Sequence, residues 1–281
     1  MTTIQALIIA LLQGLTELFP VSSLGHAVIL PALLHWTLDE RSLTFLPFLV
    51  MLHVGTAAAL LLFFWRDWLA LARGALGLAD PLHVRESRHI LMLIVIATIP
   101  AVILGYAFDS LFRTLFGTPM IAAMFLILNG LMLFLGERLR ARSSMTGDRA
   151  IADLTIVDAV VIGCWQCVAF LPGISRSGAT ITGGLLRGID HQASARFSFL
   201  IALPVIFAAT ASQGLKLHHA HLGFTDLQPA ILGAIVAGVT AFASLAFLMR
   251  YFRNHDNWAM GPFAIYSIVA GAGSLLALTF L

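Results

Sequence analysis

Two short stretches place ionisable and hydroxyl side chains among strongly apolar residues. In the first, Gln13 and Glu17 stand four apart, one above the other on a helix face that Pro20 ends, and Ser22, Ser23, Gly25 and His26 follow at once. In the second, Pro172 to Thr180 reads PGISRSGAT, with Gly173 and Gly178 letting backbone approach a ligand, the hydroxyls of Ser175, Ser177 and Thr180, and the guanidinium of Arg176. Ser22 or Ser23 can cap the next half-helix, and with Ser23 as cap His26 falls in its first turn, among N–H groups that have no carbonyl partner. Helix starts and backbone nests of this kind bind phosphate, and arginine adds a planar fork for its oxygens. Two such starts around Arg176 suit a multiply charged phosphate better than a carboxylate.

Those residues must be positioned in a membrane. The chain has 281 residues, 59% hydrophobic and 11% charged, with a mean hydropathy of +0.94. Soluble domains carry roughly 25% charged residues, so an integral membrane protein is expected. A formal charge of +2 gives no footprint for a nucleic-acid partner, and Met1 to Leu12 lacks the basic start of a removable signal. Continuous apolar runs predict six full spans, approximately Leu43–Trp65, His89–Phe108, Thr118–Gly136, Phe197–Gly214, Leu227–Met249 and Trp258–Leu281. Two further segments, Ile4–Leu34 and Ile156–Leu186, are broken in the middle by proline, serine and glycine, which predicts re-entrant helix-break-helix hairpins.

Charge sidedness tests this layout. With both broken segments re-entrant, Arg66, Arg73, Arg85, Arg88, Arg138, Arg140, Arg142, Arg149, Arg187, Arg196, Arg250 and Arg253 share one side, leaving Arg41, Arg113 and Lys216 on the other. Short cytoplasmic loops hold the excess of Lys and Arg. A full crossing by either segment would cancel that bias. The expected fold is therefore a single polytopic all-α membrane domain over 1–281, an inverted-topology repeat of about 1–137 and about 154–281. Interrupted helices paired in this way place a site near the bilayer midplane, where protein or water surrounds the irregular backbone.

Plainer readings exist for each feature. Serine and glycine pack membrane helices, and Glu17 with Arg176 could form a structural ion pair, although charges cost about 2.5–3.5 kcal/mol each at mid-depth. Cys164 and Cys167 have redox-pair spacing but read more simply as packing residues. His53 and Asn129 stand alone within spans, where an interhelical hydrogen bond is the default. His218, His219 and His221 read as a solvated loop.

QGLTELFPVSSLGH and LPGISRSGATITGG resemble the two signature segments of the bacterial undecaprenyl-diphosphate phosphatases, and the similarity in length and spans covers nearly the whole chain. The resemblance implies removal of one phosphate from undecaprenyl diphosphate, regenerating the monophosphate carrier for cell-wall precursors, with effects on bacitracin susceptibility. It implies a bacterial inner-membrane enzyme whose site opens to the periplasm and which uses a divalent cation, Mg²⁺ or Ca²⁺, with Glu17 and Gln13 as its ligands. It places the polar pair on Gln13 and Glu17, the serine and histidine on Ser23 and His26, and the essential arginine on Arg176. Many members carry Glu where this chain has Gln13, and Leu24 stands where threonine is common. Two mechanisms follow: Ser23 attacks phosphorus with Glu17 or His26 taking its proton, or the metal activates a water that Ser23 positions. SSLGH and ISRSG are also similar to fragments of the type-2 phosphatidic acid phosphatases, but Thr182 stands where their histidine nucleophile is required. A carrier that moves the anionic lipid is the alternative in another class, since broken helices in inverted repeats are transporter architecture. A homodimer is left open.

Overall fold

The structure is a computed structural model that describes residues 1–36, 45–108, 118–142, 149–217 and 224–280. Arg41, Arg113 and the histidines at 218, 219 and 221 lie outside the described residues. Eleven α-helices occupy the described residues: α1 (Thr3–Thr16), α2 (Ser23–Leu33), α3 (Phe45–Phe63), α4 (Trp65–Ala75), α5 (Pro81–Ala107), α6 (Pro119–Arg142), α7 (Ile156–Val168), α8 (Arg176–Leu186), α9 (His191–Leu217), α10 (Phe224–Asn254) and α11 (Gly261–Thr279). Starts are set by local capping. Thr2, Ser22, Asp80, Thr155 and Ser175 each accept a backbone N–H of the first turn through the side chain.

Five helices, α5, α6, α9, α10 and α11, are long and apolar enough to cross a membrane, and α3 continued through a 69° bend into α4 makes a sixth. These coincide with the six expected spans. The four helices of the broken segments do not qualify: fourteen residues rise about 21 Å and eleven about 17 Å, short of a core ~30 Å thick. Instead α1 packs on α2 and α7 on α8, so each segment folds back on itself. The expected run Leu43 to Trp65 ends where α4 begins, and a search for apolar runs passes over α4, whose residues Trp65, Arg66, Asp67, Trp68 and Arg73 are those of an amphipathic surface helix.

The first helix of each broken segment packs on a long helix remote from it in sequence. α1 lies on α10, whereas α7 lies on α5. Both crossings close on glycine: a Cβ on Gly14 would meet the Ala237 carbonyl at 2.5 Å, and one on Gly163 the Ala97 carbonyl at 2.5 Å. Backbone therefore rides on backbone, the small-residue contact that membrane helices favour. Leu60, Leu93, Leu133, Ile162, Ile181, Phe199, Leu245 and Ala264, from eight helices, share one buried cluster. Leu62, Val95, Val239 and Ile265 face outward. An apolar exterior around a sparsely polar interior is what lipid as solvent selects.

The arginine-rich side is tied by ion pairs. Arg149 and Arg187 both hold the buried Asp158 carboxylate, Arg196 pairs with Asp67, and Arg140 with Asp256 at 2.7 Å. His191, fully buried between Glu137 and Asp256, joins α6, α9 and the α10–α11 turn. The Arg196, Arg140 and His191 pairs were not evident from spacing, since they join residues more than 50 apart, whereas Arg149 and Arg187 reach Asp158 across 9 and 29.

A candidate phosphoryl-transfer site where the broken helices meet

Proline is the origin of the site. Pro20 lies in the first break: α1 ends at Thr16, and the six residues Glu17 to Ser22 separate it from α2, whose cap is Ser22; Ser23 is its first helical residue. Of the two serines that could cap, the upstream one does so, which frees the Ser23 hydroxyl. The second break repeats the arrangement: Pro172 and Gly173 interrupt the chain, Ser175 caps α8 by accepting from Gly178 N–H at 3.1 Å, and Arg176 is the first helical residue. Gly173 takes φ +105°, a left-handed region open to glycine. The breaks touch. A Cβ on Gly25 would lie 3.0 Å from Gly173 Cα, and the Ser175 and Ser177 hydroxyls both donate to the Phe19 carbonyl, at 3.1 and 2.9 Å.

Glu17 is the centre of the contact. Its Oε2 accepts from Ser23 Oγ at 2.7 Å and from Gln13 Nε2 at 3.0 Å, while its Oε1 accepts from Arg176 Nη2 at 3.2 Å. One carboxylate thus carries a hydroxyl on one oxygen and the opposite hairpin's cation on the other. Arg176 Nη1 is buried without a hydrogen-bond partner, so one arm of the guanidinium fork is unspent. An unspent buried donor costs stability and is expected where a ligand completes it. Beside these groups is a cavity of about 130 Å³, lined by Glu17, Ser22, Ser23, Leu24, Ser175 and Arg176 among others. The N–H groups of Ser23 and Leu24 belong to the first turn of α2, where the helix supplies no carbonyl for them. Both helix starts and the guanidinium therefore converge on one small polar volume suited to an oxyanion.

Other expected residues take different places. His26 Nδ1 is 2.5 Å from the Ser22 carbonyl, which can only accept, so the proton is on Nδ1; Nε2 then accepts from the Tyr266 hydroxyl at 2.8 Å, and the two rings stack. Neither nitrogen is directed to Ser23, and the base in contact with the hydroxyl is Glu17. Thr180 is buried and bonds back to the Arg176 carbonyl and to Ser198, away from the cavity lining. Gln13 stands one layer behind Glu17. Cys164 and Cys167 are free thiols.

A divalent cation was tested against the donor set. Among the described residues no group of three or more His, Cys, Asp or Glu could hold an ion. One carboxylate with a neighbouring amide is nonetheless how Mg²⁺ is commonly held, the remaining ligands being waters and substrate phosphate oxygens. The residues fit a cation that arrives with a diphosphate, not a dedicated cage.

Asn129 and Tyr266 were missed as site residues. Each is one polar group within an apolar span, and nothing in local spacing reveals its partners, which lie 46 to 138 residues from Asn129 and 240 from Tyr266.

Comparison with known proteins agrees with the geometry. The profile of a family described as bacitracin resistance protein BacA matches residues 6–273. A protein of Granulibacter bethesdensis named undecaprenyl-diphosphatase is 58% identical over 289 residues, covering 100% of this chain and 98% of the relative. Proteins of the same name from Gluconacetobacter diazotrophicus and Acidiphilium cryptum are 58% and 56% identical, covering 99% and 100% of this chain and 98% and 99% of the relatives.

Proposed function

Because the chain belongs to the bacitracin resistance protein BacA family, we propose that it is an undecaprenyl-diphosphate phosphatase of the bacterial inner membrane, releasing phosphate and the monophosphate lipid. The observation that carries the reading is the bridge Ser23–Glu17–Arg176: a hydroxyl, the base that accepts its proton and the cation that binds its target meet from opposite hairpins. A carrier has no need of a nucleophile held on a base.

The terminal phosphate enters between the two helix starts, its oxygens taken by the free arm of Arg176 and the first-turn N–H groups of α2 and α8. Ser23 Oγ attacks the terminal phosphorus and its proton passes to Glu17 Oε2. The bond from phosphorus to the bridging oxygen breaks, and undecaprenyl phosphate departs. The departing undecaprenyl phosphate carries off the Glu17 proton; water then attacks the phosphoserine, Glu17 taking its proton and returning it to Ser23 Oγ as the bond from phosphorus to Oγ breaks and phosphate leaves. Gln13 donates to the same Glu17 oxygen as Ser23 and so orients the carboxylate. Where a divalent cation is bound, Glu17 and Gln13 would hold it, and it would supply neutralisation of diphosphate charge. The arginine-rich side marks the cytoplasm by the positive-inside rule, so the first hairpin and its cavity are reached from the periplasm.

Phosphate release from undecaprenyl diphosphate by purified protein in detergent, with and without chelator, tests the reading. Wild type releases phosphate, Glu17→Ala does not, and Ser23→Ala falls by about 10³-fold or more. Substantial turnover by Ser23→Ala with none by Glu17→Ala would transfer the attack to water and refute the serine route.

A further inference from the structure

Asn129 sits midway along α6 between Leu126 and Leu133, fully buried. A lone amide in a membrane span must satisfy two donors and an acceptor from its own neighbourhood. Its Oδ1 accepts the Ser175 backbone N–H at 2.9 Å, and its Nδ2 donates to the Pro20 carbonyl at 3.0 Å and to Ser267 Oγ of α11 at 3.1 Å. The amide can face only one way, because a carbonyl only accepts and a backbone N–H only donates. Both backbone partners are groups that the breaks set free. Pro20 lies three residues before Ser23, and Ser175 is the residue before Arg176. One rigid planar group from a continuous span thus joins the two interrupted helices at the points from which nucleophile and cation project.

We propose that Asn129 is a positioning residue for phosphoryl transfer, fixing the start of α8 against the first break so that Arg176 and Ser23 address the same phosphate. It does not line the cavity, so its effect passes through the two breaks. Ser267, also fully buried, holds the amide in plane from the other side. The role rests on the phosphatase reading above.

The test compares wild type, Asn129→Leu, Asn129→Asp and Gln166→Leu for kcat and KM of phosphate release from undecaprenyl diphosphate, pH profile and thermal unfolding in detergent. Gln166 is a second buried amide, on α7, whose Oε1 has no partner. Leucine matches asparagine in size but joins neither break, and a displacement of about 1 Å costs on the order of 100-fold in kcat, with KM held within about threefold. Gln166→Leu retains wild-type kcat. An ionised aspartate has no donor for Pro20, whereas its protonated form has one donor and one acceptor, so the ratio of Asn129→Asp to wild-type kcat rises as pH falls. Glu17, His26 and the Arg176 charge are common to both proteins, and the ratio removes their share. Wild type without phosphate release would overturn the phosphatase reading and the proposal with it. Release by wild type together with Asn129→Leu kcat within threefold, or an equal loss in Gln166→Leu, would overturn the positioning role alone. If Asn129→Leu does not fold, the Asn129→Asp ratio decides: a ratio flat with pH refutes the proposal.

Discussion

Replacing Arg176 by lysine separates charge from geometry. The guanidinium uses Nη2 on Glu17 at 3.2 Å and keeps Nη1 buried and unpartnered, so a single side chain holds the base and offers a second donor to phosphate. Lysine carries the same charge as one point and cannot serve both directions at once. Loss of one preorganised donor to a developing oxyanion costs roughly 2.7–4 kcal/mol, a factor of about 10²–10³ in kcat. Retained charge recovers part of this, so Arg176→Lys should lose about 10²-fold in kcat. Arg176→Ala goes further, because the Glu17 side chain is only 9% exposed and would lose its cation. Breaking a buried pair from one side costs about 3–5 kcal/mol, and with Gln13 and Ser23 still donating to Glu17 the lower end is expected. The double variant Glu17→Gln with Arg176→Ala then regains thermal stability and remains inactive. Single-turnover phosphate release and thermal unfolding in detergent measure both quantities. Arg176→Lys within fivefold of wild type would refute the two-armed role, and a double variant no more stable than Arg176→Ala would refute the buried-charge account.

Gly173→Ala would place a Cβ against the Ala122 carbonyl and 2.7 Å from Leu126 N at a φ of +105°; the strain and overlap together cost about 2–5 kcal/mol, read as a lower unfolding midpoint, and an unchanged midpoint would contradict the close seating of the second break. At the α10–α11 turn, burial acts to raise the Asp256 carboxyl, but hydrogen bonds from His191 and Arg140 outweigh it and hold the group below its ordinary value. A depressed carboxylate contributes stability above its unfolded value of about 4 and loses it as pH falls through the folded value, so Asp256→Asn should flatten the acid limb of stability against pH; a limb as steep as wild type's would show that the clamp contributes nothing.

Much of this arrangement is legible in the sequence, for reasons that also set the limit. Lipid enforces long apolar runs, and a proline between two such runs cannot be hidden, so six spans and two breaks stand out. Charges at mid-depth are costly enough that Glu17 and Arg176 identify one another across 159 positions, and the structure joins them at 3.2 Å. What fails to show is anything decided by one residue of register or by a backbone partner. Ser22 and Ser23 are equivalent as caps on paper; only the observed turn gives the cap to Ser22 and the free hydroxyl to Ser23. Asn129 finds backbone groups, which leave no trace in residue types. His26 reads as a free base until Tyr266, 240 residues on, occupies its second nitrogen. The bend at Phe64 carries no proline or glycine, so nothing local marks where α3 turns into α4.

The two broken segments share local geometry but differ in the residues they bring to the contact. Gly14 on α1 and Gly163 on α7 make the same glycine-to-carbonyl crossing, so the residues three further on, Glu17 and Gln166, occupy corresponding positions. The first helical residues after the caps Ser22 and Ser175 correspond likewise, and they are Ser23 and Arg176. Of these four positions only Glu17 and Arg176 carry charge; Gln166 and Ser23 are an amide and a hydroxyl. Four buried charges would each cost several kcal/mol before pairing. One ion pair across the two breaks limits that cost and leaves the Ser23 hydroxyl and one arm of Arg176 beside the cavity.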